Sequence, residues 1–380
     1  HDVESNRLFA PRAIDVYQQD DQSGLLIADY ANHRVVKYSS VPTENGADHD
    51  ERYGQTSDSS SASGDGSGEL DRPSSVRLFN DRIYITEGDN HRAIWVAAED
   101  FDANGGKINS GEATSLVGQD NFGSVIDDQC SRSSLDTPAA VEAVETENGI
   151  QWLVSDYNNH RVMIWNNPDE AKGADASMVL GQPDFVTCPS DDAGDTGLKS
   201  LQYPTGIWSN GEKLVIASGE NNRLVVWNNF PTENNQPADF QLGQHSDSGD
   251  SWNAGEGSVN QRGMEMPMGI GSNAHQMCAT DAGNHRVLVW NTFPESGDDL
   301  ADIVLGQSDF TKGAYNDVAQ DGISNDDLID GRVLRQPYSC DMTLDQLFIA
   351  DSGNHRVLVF DALNKRPENS DSENSGPGNN

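Results

Sequence analysis

The sequence predicts an all-β protein, a six-bladed β-propeller with four antiparallel strands per blade and a last blade short of its closing strand. Three observations predict it. A phrase of nine or ten residues recurs six times, clearest as Asp351-Ser-Gly-Asn-His-Arg-Val-Leu-Val-Phe360 and again at 29–38, 87–95, 156–165, 218–227 and 281–290, with starts 58 to 70 residues apart. A Pro precedes every copy by 14 to 18 residues, and a Gly-Gln pair follows five of the six. Self-similarity at a near-fixed period marks one supersecondary unit repeated, each copy burying its apolar face against its neighbours.

Within a unit the elements follow one order. Pro11, Pro73, Pro138, Pro204, Pro267 and Pro337 each open a short apolar run, and Pro suits the entry of a strand, where no ladder donor is needed. A second run comes next, such as Leu25-Leu-Ile-Ala28, Trp152-Leu-Val-Ser155 or Leu347-Phe-Ile-Ala350. The Asn-His-Arg turn follows, then a third run ending on Tyr38, Trp95, Trp165, Trp227, Trp290 or Phe360. The fourth run closes on Gly54-Gln55, Gly118-Gln119, Gly181-Gln182, Gly243-Gln244 or Gly306-Gln307. Short runs bounded by Gly, Pro, Asn and Asp, without helical periodicity, read as antiparallel strands. Radial repetition leaves only short, protected edges, whereas an open solenoid needs polar caps that this sequence lacks. Residues 1–360 form the propeller. Residues 361–380 have nothing to bury and read as a disordered tail or linker. The sixth unit has no Gly-Gln, so its closing strand comes either from His1 to Asn6 or from upstream.

The Asp-x-x-Asn-His-Arg-Val turn with its trailing aromatic residue resembles the NHL repeat over residues 8–360. Trp227-Asn-Asn-Phe-Pro-Thr232, Ala238-Asp-Phe-Gln-Leu-Gly-Gln244 and Gly181-Gln-Pro-Asp-Phe185 are similar to the bacterial branch of that family. The resemblance implies a scaffold whose relatives do unrelated jobs. It also brings a competing enzyme class, the peptidyl-α-hydroxyglycine lyases, six-bladed propellers that hold zinc through histidines and also bind calcium. His33, His160, His285 and His355 match the lyase spacing of a His four residues after the repeat Asp. The Asn and Arg around each His depart from the lyase motif, and that departure disfavours Zn2+.

Residues demanded by every copy are most economically explained by the repeat itself. They are Asp29, Asn32, His33 and Arg34 in the first unit, and Glu87, Asn90, His91 and Arg92 in the second. Asp156, Asn159, His160 and Arg161 follow, then Asn222 and Arg223, with Asn222 in the His position. The last two units carry Asp281, Asn284, His285 and Arg286, and Asp351, Asn354, His355 and Arg356. Asn suits a turn with left-handed backbone. The acidic residue suits an ion pair with the Arg five positions on, and the His packs beside them.

Sixty-two acidic residues face 24 basic ones, a formal charge of −38. Nucleic-acid binding depends on Lys and Arg displacing counterions, so this composition argues against it, and equally against anionic membrane surfaces. Favoured partners are proteins, basic ones especially, or neutral glycans. The same excess suits a halophilic or marine protein that stays soluble by self-repulsion. No stretch reaches the roughly 20 apolar residues of a membrane span. The chain starts at His1 without Met and reads as a processed or trimmed product. Cys130 and Cys188 fall in matching loops of consecutive units, and Cys278 and Cys340 in strands of consecutive units. Disulfides 130–188 and 278–340 are therefore expected, and with them an extracellular or periplasmic location; the alternative is four free thiols.

No nucleophile elbow, His-Glu-x-x-His helix or phosphate-cradling loop appears, and no catalytic residue is assigned. The informative segments are the five long connections from Gly-Gln to the next Pro, at 56–72, 120–137, 183–203, 245–266 and 308–336, which in a propeller emerge on one face. Loops of this length tend to be functional or disordered. Their Asp and Gly content, as at 63–69, 191–195 and 326–330, makes Ca2+ the candidate ion, with solvated halophilic loops as the alternative. Phe122, Phe185, Trp252, Phe310 and Tyr315 are the candidate binding-face residues, the repeated Phe reading as loop pins and Trp252 as exposed. The function expected is a non-catalytic scaffold that recognises a protein or glycan through this face. The alternatives are a metal-dependent lyase or hydrolase with its site in the central channel, and a structural module of a longer surface protein.

Overall fold

The computed structural model describes residues 4–19, 22–98, 113–127, 129–167, 173–189, 197–319, 321–325 and 329–361. Blade one comprises Pro11–Gln19 (β1), Gln22–Asp29 (β2), Arg34–Tyr38 (β3) and Glu51–Tyr53 (β4). Blade two comprises Pro73–Phe79 (β5), Arg82–Glu87 (β6), Arg92–Ala97 (β7) and Ser115–Val117 (β8). Blade three comprises Pro138–Thr146 (β9), Gly149–Asp156 (β10), Arg161–Asn166 (β11) and Met178–Leu180 (β12). Blade four comprises Pro204–Ser209 (β13), Leu214–Ser218 (β14), Arg223–Trp227 (β15) and Phe240–Leu242 (β16). Blade five comprises Pro267–Ser272 (β17), Met277–Asp281 (β18), Arg286–Trp290 (β19) and Ile303–Leu305 (β20). Blade six comprises Pro337–Met342 (β21), Gln346–Asp351 (β22) and Arg356–Asp361 (β23). Each blade is an antiparallel meander in chain order, and blade six has three strands among the described residues. Of His1 to Asn6, where a closing strand was expected, residues 1–3 lie outside the described residues and Glu4 to Asn6 form no strand; of the expected tail 361–380, Asp361 ends β23 and residues 362–380 lie outside the described residues.

Register explains the repeat. In every blade the acidic residue, or Ser218, lies opposite both the entry Pro and the turn Arg, as Asp281 lies opposite Pro267 and Arg286. The 18-residue spacing in blades one and three, against 14 elsewhere, comes from a longer first hairpin. The difference of four adds two residues per strand, an even number that keeps every side chain on its face.

The core is divided among the blade interfaces. Along β2, Leu26 and Ala28 pack towards blade two, whereas Leu25 and Ile27 pack towards blade six. Six apolar clusters result, one per pair of neighbouring blades, and Ile14, Val36 and Tyr38 meeting Phe348 and Ala350 closes the ring from blade six to blade one. Trp95 departs from the pattern. It sits three residues after its Arg rather than four, so the two-residue period turns it to the other face, where it joins Tyr84, Trp152 and Trp165 between blades two and three.

Candidate functional site

At one end of five of the six blades the repeat turn makes an ion pair on a buried carboxylate. The Arg Nε donates to the carboxylate five residues back at 2.6 to 2.7 Å in blades one, two, three, five and six. The Asn side chain donates to the same carboxylate, and Ser218 with Asn221 replaces that pair in blade four. Burial pushes the Asp281 carboxyl up from its ordinary value while Arg286 pulls it down. The remaining guanidinium hydrogens go to loop carbonyls, as Arg161 donates to Phe185, Ser131 and Ser134.

The left-handed residue of the turn is the histidine, not the asparagine before it: φ is 53° at His33, 55° at His160 and 57° at His355. This orientation aims each ring at the next blade. Nδ1 of His33, His91, His160, His285 and His355 accepts the backbone N–H of Arg72, Thr137, Tyr203, Gln336 and Ala10 respectively, at 3.1 to 3.2 Å, and Asn222 Oδ1 accepts that of Met266 at 3.0 Å. All six donors stand immediately before a Pro and have φ between 47° and 52°, a region costly for a non-glycine residue. The next amide upstream donates to the acidic residue or Ser218 of its own blade. Two consecutive amides thus clip each blade to itself and to its predecessor, and Ala10 with His355 completes the circle.

The Gly-Gln pairs fasten the long loops to the same face. Each Gln Nε2 donates to the carbonyl of the turn residue (His33, His91, His160, Asn222 or His285) and to a carbonyl seven residues ahead, at Ala62, Ile126, Pro189, Ser251 or Ala314. A Cβ on Gly54 would lie 2.9 Å from the His33 carbonyl, so glycine is required there. The disulfide Cys130–Cys188 joins two of the loops, and Cys278–Cys340 joins β18 to β21.

Phe122, Phe185 and Phe310 are half-buried against the blade clusters, the first two beneath Arg92 and Arg132. Tyr315 lies between His285 and Arg335. Trp252 is 51% exposed. Eleven large hydrophobic side chains stay exposed among the described residues, and seven lie in the long loops: Val125, Ile126, Val186, Trp252, Met266, Ile323 and Ile329. The carboxylates of Glu69, Asp184, Asp309 and Asp330 accept backbone amides of their own loops. Residues 191–195 and 326–328 of the candidate calcium segments lie outside the described residues. Among the described residues no three His, Cys, Asp or Glu side chains are grouped to hold a metal ion.

The loop face opens onto a central cavity of about 300 Å³. Its mouth carries Tyr30, Tyr157 and Tyr338, with the Arg12 guanidinium 3.5 Å from the Tyr30 ring centre and 4.7 Å from that of Tyr338. Deeper, in five of the six blades the residue four after the entry Pro lines the cavity: Asp15, Arg77, Glu142, Trp208 and Asp341. Arg77 Nη1 donates to Asp15 Oδ1 at 2.6 Å, and Glu142 Oε1 lies 2.9 Å from Arg77 Nε, an ion pair out of line for a hydrogen bond. Asp15 also accepts the Leu78 N–H, and Asp341 that of Val16, so the carboxylates bridge blades six, one and two. Burial, with Asp15 adding to it, pushes Glu142 and Asp341 up to about 7, against the pull of Arg77. Sequence reasoning missed this ring. Its signal was a charged residue at a fixed offset inside three predicted apolar strands and Arg77 inside a fourth.

No family model and no curated protein matches the chain. Among solved structures it is similar to a chain of a nidogen/laminin complex at 13% identity, covering 89% of this chain and 88% of that one, with a TM-score of 0.47. It is similar to the hydrazine synthase of Kuenenia stuttgartiensis at 8% identity, with coverages of 94% and 96% and a TM-score of 0.49. It is also similar to the PQQ-bound aldose sugar dehydrogenase of Streptomyces coelicolor at 11% identity, with the same coverages and a TM-score of 0.48.

Proposed function

We propose that this chain is an NHL-type propeller acting as a binding scaffold without catalysis of its own, and that it recognises a protein partner through the long-loop face. The observation that carries this reading is the concentration of exposed apolar side chains on loops that are themselves tied down. Exposed apolar patches mark interaction sites, and loops already held by Gln, Arg and a disulfide lose little ordering entropy on binding. Aliphatic groups such as Val186, at 70% exposure, and Ile323, at 68%, favour a protein over a glycan. The repeat histidines support the scaffold over a metal-dependent lyase, because each Nδ1 is engaged by a backbone amide. Two disulfides fit an extracytoplasmic setting.

The test is selection of a displayed peptide library on the immobilised protein. Selected binders should weaken by about tenfold or more, roughly a hot-spot loss, on V186D, W252A or I323D. They should be indifferent to L344D, on the β21–β22 hairpin at the opposite end. Binders that map to Leu344 would sink the face assignment, and binders that prefer glycans over peptides would change the partner class.

A further inference from the structure

Arg12 stands at the mouth of the central cavity with its guanidinium against the rings of Tyr30 and Tyr338. Among the described residues it makes no hydrogen bond and no ion pair. Acidic side chains outnumber basic ones 62 to 24 in this chain, yet none of those described reaches it. Stacking on tyrosine uses the flat faces of a guanidinium and leaves its N–H fork open in the plane, the geometry that receives a carboxylate.

Deeper in the channel the charge is reversed. Asp15, Glu142 and Asp341 act on the single guanidinium of Arg77, so the carboxylates are in excess. Glu142 is 3% exposed; its Oε1 accepts the Ala143 amide and lies beside Arg77, while its Oε2 has no hydrogen-bond partner among the described residues. Glu142 and Asp341 are held up to about 7 by burial and by Asp15, the direction taken where buried negative charge lacks a counter-charge. A bare metal ion suits the place poorly. Arg77 already engages Asp15 and Glu142, and among the described residues no three ligating side chains are grouped. An organic ammonium suits it better, since its three donors can be shared between Glu142 and Asp341.

The two charges sit at different depths. Arg12 and Asp15 are three residues apart on β1, about 10 Å along a strand that rises ~3.3 Å per residue. The ammonium and carboxylate of an α-amino acid share one carbon and cannot reach both levels. A lysine side chain reaches, because its four-carbon stem gains a charge-assisted hydrogen bond of about 2.8 Å at each end. Ile14, Val76, Val141 and Ile207 line the cavity as apolar wall for that stem. At about 300 Å³ the cavity lies at the lower end of the roughly 300 to 1,000 Å³ of ligand pockets, room for one side chain rather than for an oligosaccharide. We propose that the channel binds a lysine with a free carboxylate, either a small lysine derivative or the last residue of a polypeptide, the carboxylate on Arg12 and the ε-ammonium on Glu142 and Asp341. The site uses none of the loop aliphatics on which the proposed protein recognition rests, so the two stand or fall separately.

The probes are Nα-acetyl-lysine, its C-terminal amide, which lacks the carboxylate, and Nα-acetyl-norleucine, which lacks the ammonium. Each is titrated calorimetrically into the full chain at about pH 8, above the value to which both carboxyls are raised. Nα-acetyl-lysine should bind one to one, and each truncated probe at least about tenfold more weakly, equivalent to roughly 1.4 kcal/mol. R12A should erase the preference over the amide and keep that over norleucine; E142Q should do the reverse. V186D and I323D, which test the loop face, should bind all three probes as the wild type does. Should R12A or E142Q fail to fold, the three probes on the wild type decide. A Gly-Ser peptide ending in Lys separates the sources: binding about tenfold tighter than Nα-acetyl-lysine assigns the site to a chain end, and equal or weaker binding to a free small molecule. No binding of Nα-acetyl-lysine at about 10 mM, affinity indifferent to the loss of either charge, or discrimination unchanged in both folded variants overturns the proposal.

Discussion

Five arginines, Arg34, Arg92, Arg161, Arg223 and Arg286, are fully buried in a chain with 62 acidic residues, and what they hold is loop backbone. Removing a partner from a buried pair leaves an uncompensated charge, which costs about 3 to 5 kcal/mol. Asp281→Ala should therefore lower stability by about that amount in urea denaturation, because Arg286 loses its carboxylate while Glu265 loses the acceptor for its amide. A loss below about 1 kcal/mol would mean that the carbonyls of Phe310, Asn260 and Gly263 suffice for Arg286. The same scale shows why the histidine was misread from sequence. A residue four positions from an acid and next to an Arg looks like a member of their cluster. Its partner is a backbone amide of the next blade, 39 to 51 residues further along the chain for four of the five and back at Ala10 for His355, and an amide has no letter in a sequence.

At the scale of the strand and the blade, much was legible. Pro entry, acidic exit and Arg re-entry mark the ends of the first three strands, since one register places all three side by side. Both cysteine pairings followed from equivalent positions in consecutive units. The Trp95 displacement was not legible, because an apolar run one residue out of phase looks the same until its partner strand is known. Cys278–Cys340 closes a loop of 62 residues between blades five and six, and chain entropy assigns such a loop about 4 kcal/mol. The double variant C278A/C340A should lose roughly that much. An equal loss in the reduced wild type would attribute it to the covalent link rather than to cavities left by the missing sulfurs.

For the whole molecule, the channel ring is the feature whose pH response can be read. Glu142 keeps its proton up to about pH 7 in the folded chain, against 4.5 as its ordinary value. The folded state therefore binds more protons between those values, so the contribution is complete below about pH 4.5 and is lost as pH rises through 7. His285, lowered to about 4 by burial and Arg335, works in the opposite sense: its contribution is present above about 6.5 and lost as pH falls through 4. E142Q removes only the first. Wild type should match E142Q at pH 4.5 and melt progressively below it between pH 5 and 8; parallel melting curves across that range would refute the assignment. The ring also shows the limit of reading one unit at a time. Each charge looked like a solvated exception in its own strand, and only the circular arrangement brings Asp15, Arg77, Glu142 and Asp341 to one axis. The fastening between blades six and one has a further consequence. Bonds at the inner rim, His355 with Ala10 and Asp341 with Val16, reinforce the apolar packing of Ile14, Val36 and Tyr38 against Phe348 and Ala350, and Cys278–Cys340 moors blade six to blade five. The last blade is held like a keystone, gripped by both of its neighbours.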